Sequence, residues 1–133
     1  MRTILFRGKS AHCDAWCYGS FVEYEDERAI CGFDVYREGN SDWMEEKIDY
    51  DTIGQYTGLR DAEGNAIYEG DILQGCNESI RHEIFYNDKE ARFEGALDGE
   101  KKVSGNISQE WIYNFGKVVI GNIHDNPEWI NWR

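Results

Sequence analysis

Cys17-Tyr18-Gly19-Ser20-Phe21-Val22, the acidic tip Glu25-Asp26-Glu27, and Cys31-Gly32-Phe33-Asp34-Val35-Tyr36 form the stretch on which the fold turns. Cys17, Gly19 and Phe21 alternate with Tyr18, Ser20 and Val22. Cys31, Phe33 and Val35 alternate in the same way with Gly32, Asp34 and Tyr36. A period of two is what a half-buried strand imposes, because successive side chains leave opposite faces of the backbone. Two such runs flanking three acids read as a β-hairpin.

Working outward, the same grammar recurs. Arg81 to Tyr86 and Ala91 to Leu97 form a second hairpin around Asn87-Asp88-Lys89-Glu90. Asp61-Ala62-Glu63-Gly64-Asn65 is a tight turn in which Gly64 and Asn65 can take positive φ. In Ala66 to Leu73 the Gly70-Asp71 step reads as a bulge or a bend between strands. Lys117 to Ile120 is a β-branched strand. Residues 41–51 mix Trp43, Met44 and Ile48 with acids at a spacing that predicts one or two helical turns begun by Ser41 or Asp42. Lys101 to Gln109 reads as a loop. Pro127 to Ile130 reads as a short terminal helix with Asn126 as its cap and Pro127 at the first helical position. The expectation is a mainly β (α+β) protein: a small barrel with additional hairpins and a short C-terminal helix.

With 133 residues, the chain is expected to be a single domain, 1–133, or two intimately packed subdomains of about 1–50 and 51–133, since a second independent core would have little apolar surface to bury. No run approaches the roughly 20 apolar residues of a membrane span, and Met1-Arg2-Thr3-Ile4-Leu5-Phe6-Arg7 has no apolar run behind it to act as a secretory signal. A cytoplasmic protein without membrane partners is expected.

Acids number 26 against 14 basic residues, for a net charge of -12. Phosphate recognition needs clustered Lys and Arg, so direct nucleic-acid binding is excluded. Such a charge either keeps the chain soluble or faces a basic partner.

Cys13, Cys17, Cys31 and Cys76 are expected to be free thiols in a reducing compartment. His12, Cys13 and Cys17 carry the atom types of a zinc site or a thiol nucleophile. Cys31, Cys76, His82 and His124 stand apart, so the second close ligand pair of a structural zinc site is missing. Glu69 with Asp71, or His124 with Asp125, could form an acid-base pair, but neighbouring carboxylates are common in so acidic a chain, and a lone histidine lacks an orienting partner and a nucleophile. No catalytic, cofactor or metal residue is assigned, and no cofactor is expected.

Five blocks are similar to the YopX family of phage and prophage proteins: Leu5-Phe6-Arg7-Gly8-Lys9; Trp16-Cys17-Tyr18-Gly19; Thr52-Ile53-Gly54-Gln55-Tyr56-Thr57-Gly58-Leu59; Ile67-Tyr68-Glu69-Gly70-Asp71-Ile72; and Val119 to Glu128. The resemblance implies a β-rich fold with a small SH3-like barrel, an oligomeric tendency and phage origin. It implies no reaction. The His12-Cys13 cluster and the region from Gln74 to Gln109 depart from the family's blocks.

Three functions remain in view. The first is a phage-encoded accessory protein that binds a basic host protein through an acidic, aromatic-rich surface. Its candidate residues are Glu23, Glu25, Asp26 and Glu27 at the hairpin tip, with Trp129 and Trp132 at the C-terminus. The second is a self-assembling homo-oligomer of structural or scaffolding type, closed by Trp129, Ile130 and Trp132. The third is a small Cys/His-dependent enzyme using Cys13 and His12.

Overall fold

The computed structural model describes residues 1–97 and 99–130. The chain divides into two compact units, Met1–Tyr56 and Thr57–Arg133. The division falls inside a strand rather than in a linker.

In the first unit, β1 (Phe6–Lys9), β2 (Trp16–Tyr24) and β3 (Glu27–Phe33) form an antiparallel meander whose β2–β3 hairpin turns at Glu25 and Asp26, as the alternation predicts. Its register pairs Phe21 with Ile30 and Val22 with Ala29. Paired residues share a face, so Cys17, Phe21 and Ile30 point together into an apolar cluster completed by Val35 and Ile48. Cys31 and Phe33, one residue out of phase with Ile30, lie on the other face, and Phe33 is exposed. Asp34, with φ 51°, ends the strand and lets Val35 swing back to full burial.

The predicted helical turns at 41–51 are instead β4 (Trp43–Lys47), paired with β3, followed by one 3₁₀ turn, Tyr50–Thr52, which Asp49 caps by accepting from the Asp51 amide. The spacing of four between Met44 and Ile48 fits a helix and a strand equally. Cross-strand partners on β3 decide for the strand, where Met44 and Ile48 turn inward and Trp43, Glu45 and Lys47 turn outward. β5 (Gly54–Arg60) pairs with β1, giving the order β4-β3-β2-β1-β5, and β6 (Ala66–Tyr68) is hydrogen-bonded to β5.

The second unit holds a sheet of order β10-β9-β8-β7-β11, built from β7 (Asp71–Gln74), β8 (Arg81–Asn87), β9 (Arg92–Ala96), β10 (Ser104–Asn106) and β11 (Val118–Asn122). Ile67, Leu73, Ile84 and Ile112 form its core. The Asn87–Glu90 hairpin, the 61–65 turn and the Gly70 bend, with φ 89°, occur where the sequence predicts.

Asp61 organises the turn. It is fully buried, accepts from the amides of Glu63, Asn65 and Val119, and so ties the turn to β11.

The 101–109 loop is corrected: it contains β10 and the start of α1 (Gln109–Asn114), whose first turn is capped by the Ser108 hydroxyl accepting from the Trp111 amide. The terminal helix is a single 3₁₀ turn, Pro127–Trp129, and Asn126 does not cap it. Its side-chain oxygen instead accepts from the Asn122 amide. Both sheets are antiparallel and, among the described residues, open; neither closes into a barrel. No helix of the described residues is long and apolar enough to cross a membrane.

Candidate interaction surface

Glu25, at φ 53°, and Asp26 occupy the β2–β3 turn and are exposed. Glu23 and Glu27 flank them on opposite faces of the hairpin and are engaged in ion pairs, Glu23 with Arg28 and Glu27 with Lys47 (2.9 Å). Arg28 also stacks 3.9 Å from the centroid of the Tyr50 ring. The predicted acidic quartet therefore presents two unneutralised charges rather than four, because the strand register brings a cation beside each flanking acid. Glu25 and Asp26 make no ion pair among the described residues.

The outer face of β2, β3 and β4 carries Tyr24 next to this tip and Phe33 and Trp43 at the opposite end of the strands, all exposed. Phe33 and Trp43 are directly paired across the strands and meet edge to face, with centroids 5.1 Å apart. The Tyr24 hydroxyl donates to Glu45 (2.7 Å), and the hydrogen bond and charge of that carboxylate push the phenol's pKa up.

β4 is also an edge strand. The Ile48 amide donates inward to Arg28, so by alternation Trp43 and Glu45 direct their main-chain groups outward. Among the described residues, only the C-terminal end of that edge is closed, where the Ala11 amide bonds the Lys47 carbonyl. Asp42, Glu45, Glu46, Asp49 and Asp51 crowd this segment against the single Lys47. The sequence reading missed Trp43 and Glu45 because it took residues 41–51 as helical; read as a strand, Trp43, Glu45 and Lys47 fall on one face.

Trp129 belongs to the second unit and is half-buried rather than exposed: its ring packs so closely on Gly121 that a Cβ there would overlap it, and Arg81 lies 5.4 Å from the ring centroid. Trp132 lies outside the described residues.

The thiol cluster sits in the first unit. The Ser10 hydroxyl donates to Glu46 (2.6 Å), the His12 ring meets the same carboxylate (3.2 Å), and the Cys13 sulfur lies 4.0 Å from the Tyr36 hydroxyl. Ser10, His12 and Cys13 border an open cleft of about 700 Å³. Hydrogen bonds from Ala15 and Ser10 hold the Cys13 thiol below its usual range, whereas burial pushes Cys17 up. All four cysteines are free, and no group of three or more metal-binding side chains occurs among the described residues.

His12 and Cys13 are thus brought to one cleft, but Glu46 is shared between Ser10 and His12, and among the described residues no hydrogen bond joins the imidazole to the thiol. Glu69 and Asp71 flank the Gly70 bend, where Asp71 accepts from the Tyr68 amide (2.7 Å). Next to His124 and Asp125, the capping group is Asn122, whose side-chain oxygen accepts from both of their amides.

None of the curated proteins compared with the chain matches it. Among solved structures, the crystal structure of protein EF1440 from Enterococcus faecalis is similar, with a TM-score of 0.63 and 23% sequence identity over 98% of this chain and 100% of that one, a likeness of fold. The family model described as YopX protein matches residues 5–131, nearly the whole chain, so the protein belongs to the YopX family.

Proposed function

We propose that the protein acts by binding a basic protein, and that the acidic, aromatic face of β2, β3 and β4 is where it binds. The phage origin implied by the family resemblance points to a protein of the host. The observation that carries this reading is the exposed Phe33–Trp43 pair beside an open strand edge rich in carboxylates. Burial of a large apolar side chain contributes about 1.5–3 kcal/mol, so two aromatics form an anchor, while Glu25, Asp26 and the acids around β4 select for positive charge. The unpaired main-chain groups of Trp43 and Glu45 suit an extended segment added as a further strand. A second copy is disfavoured as that strand, because antiparallel pairing of β4 with itself about Glu45 would set like charges opposite one another.

The test uses a labelled peptide alternating lysine with β-branched residues, and its glutamate counterpart, followed by fluorescence anisotropy. Glu45→Pro removes an outward amide while leaving the β3 pairing intact, as edge positions allow. Glu25→Lys with Asp26→Lys reverses the free charges without touching the two ion pairs. Saturable binding of the lysine peptide alone, weakened by both variants, supports the proposal. Equal binding of both peptides, or binding unchanged by Glu45→Pro, refutes it.

A further inference from the structure

Gly95 on β9 and Gly105 on β10 stand directly opposite one another in the second unit's sheet, on the face that carries Ile84. With no side chain at either position, a hollow of about 120 Å³ remains, lined by His82, Gly95, Gly105, Asn106 and Trp111. That is room for about four waters at liquid density. A Cβ on Gly105 would meet nothing within 4 Å, whereas one on Gly95 would touch Cβ and Cδ2 of His82 at 3.4 Å. The Cδ2 edge of the imidazole therefore borders the hollow. Trp111 stands edge-on to the same ring, with centroids 5.0 Å apart and planes at 88°.

Lys117 approaches His82 at Nδ1, with Nζ at 3.5 Å. An ammonium has no acceptor capacity, so Lys117 donates and Nδ1 accepts, which leaves the proton of a neutral ring on Nε2. Lys117 is 6% exposed. Its ammonium also lies 5.2 Å from the centroid of the Trp111 ring, and it makes no ion pair among the described residues. In a chain with 26 acids, a buried ammonium without a carboxylate is conspicuous. Burial lowers the pKa of Lys117, and burial with the Lys117 charge lowers that of His82 to about 4. The imidazole is thus neutral near pH 7, and its tautomer is set by the lysine.

We propose that this hollow is a binding site for a small oxyanion such as a carboxylate or inorganic phosphate, which accepts from His82 Nε2–H and is held by the charge of Lys117 behind the ring. Trp111 walls the site and limits it to a ligand of a few heavy atoms, and the glycine pair provides the space. Lys117 acts through His82 as a positioning residue.

The test is a titration of protein labelled with ¹⁵N-histidine against sodium acetate and, separately, sodium phosphate, at constant ionic strength and pH 7. Ring nitrogen shifts of His82, His12 and His124 are followed. Saturable movement of His82 Nε2, with the other two histidines unmoved, is the expected result in at least one titration; the active arm identifies a planar or a tetrahedral ligand. Lys117→Met should weaken binding at least tenfold and allow the Nδ1-protonated tautomer of His82 to appear in the ligand-free protein. Gly105→Leu fills the hollow from an open position and should abolish saturation while leaving that tautomer unchanged. Shifts that rise linearly in all three histidines in both titrations, or an affinity indifferent to Gly105→Leu, would overturn the proposal.

Discussion

Asp61→Asn tests whether a single buried carboxylate holds the second unit's turn to its sheet. The wild-type Oδ1 accepts from the amides of Glu63 (2.9 Å) and Asn65 (2.8 Å), and Oδ2 accepts from the Val119 amide (3.0 Å) and the Asn65 side chain (3.4 Å). Asparagine keeps the volume, so no cavity opens, but its single oxygen can serve only one of these positions. If it serves Glu63 and Asn65, the new NH₂ group faces two donors, and the link to β11 is lost. A hydrogen bond to a charged group contributes about 1.5–3 kcal/mol, and a stranded donor costs about 1–3 kcal/mol. A loss of about 3 kcal/mol is therefore expected, which at roughly 3 °C per kcal/mol for a chain of this size lowers Tm by about 10 °C.

The pH dependence supplies a second readout. Burial alone would raise the Asp61 pKa, but the hydrogen bonds from Val119, Asn65 and Glu63 outweigh it and hold the folded-state value below the ordinary carboxylate range. A group depressed in the folded state stabilises above its unfolded pKa of about 3.9 and loses that contribution as pH falls through the folded value. Differential scanning calorimetry of both proteins should thus show the widest gap at neutral pH and a narrowing gap under acid. A variant melting within about 3 °C of wild type at pH 7, or a gap that fails to narrow as the pH is lowered, would refute the assignment.

Cys13 should be the fastest of the four thiols toward an aromatic disulfide reagent, with Cys17 silent in the folded state. Ser10→Ala should raise the Cys13 pKa and slow its labelling at pH 7, and an unchanged rate–pH profile would remove Ser10 from that role. Gly121→Ala sets a Cβ into the Asn126 side chain and the Trp129 ring. It should cost about 1–3 kcal/mol in urea denaturation, as overpacking does, and should shift tryptophan emission to the red; a neutral effect would mean that the 127–129 turn is not seated on β11.

Much of the fold is legible where local chemistry and tertiary pairing agree. The β2–β3 and β8–β9 hairpins, the 61–65 turn and the Gly70 bend all combine period-two patterning with residues that favour turns, and all are present. The failures have one character. Residues 43–47 satisfy helical and strand spacing alike, and the choice was made by β3, which no local window contains. α1 was hidden because Ser108 and Gln109 were read with the polar loop before them, although a capping serine followed by an acid, Glu110, in the first turn is the signal that announces it.

At the candidate surface, the acidic tip was visible, but its partial neutralisation depends on register: Arg28 lies opposite Glu23 because Val22 pairs with Ala29. The His82–Lys117 contact joins residues 35 apart in the chain and leaves no trace in the spacing of either.

The exposed edge of β4 has a consequence for how the protein behaves in concentrated solution. An unpaired strand flanked by Phe33 and Trp43 is a template on which copies could stack into fibres. The carboxylates of residues 42–51 act as gatekeepers against that growth. Their protection depends on charge, and near the sequence pI of about 4.6 the net repulsion between molecules vanishes. Mild acid should therefore make this edge the seed of aggregation before it unfolds the chain, which ties the protein's colloidal lifetime to the acidity that a binding partner would read.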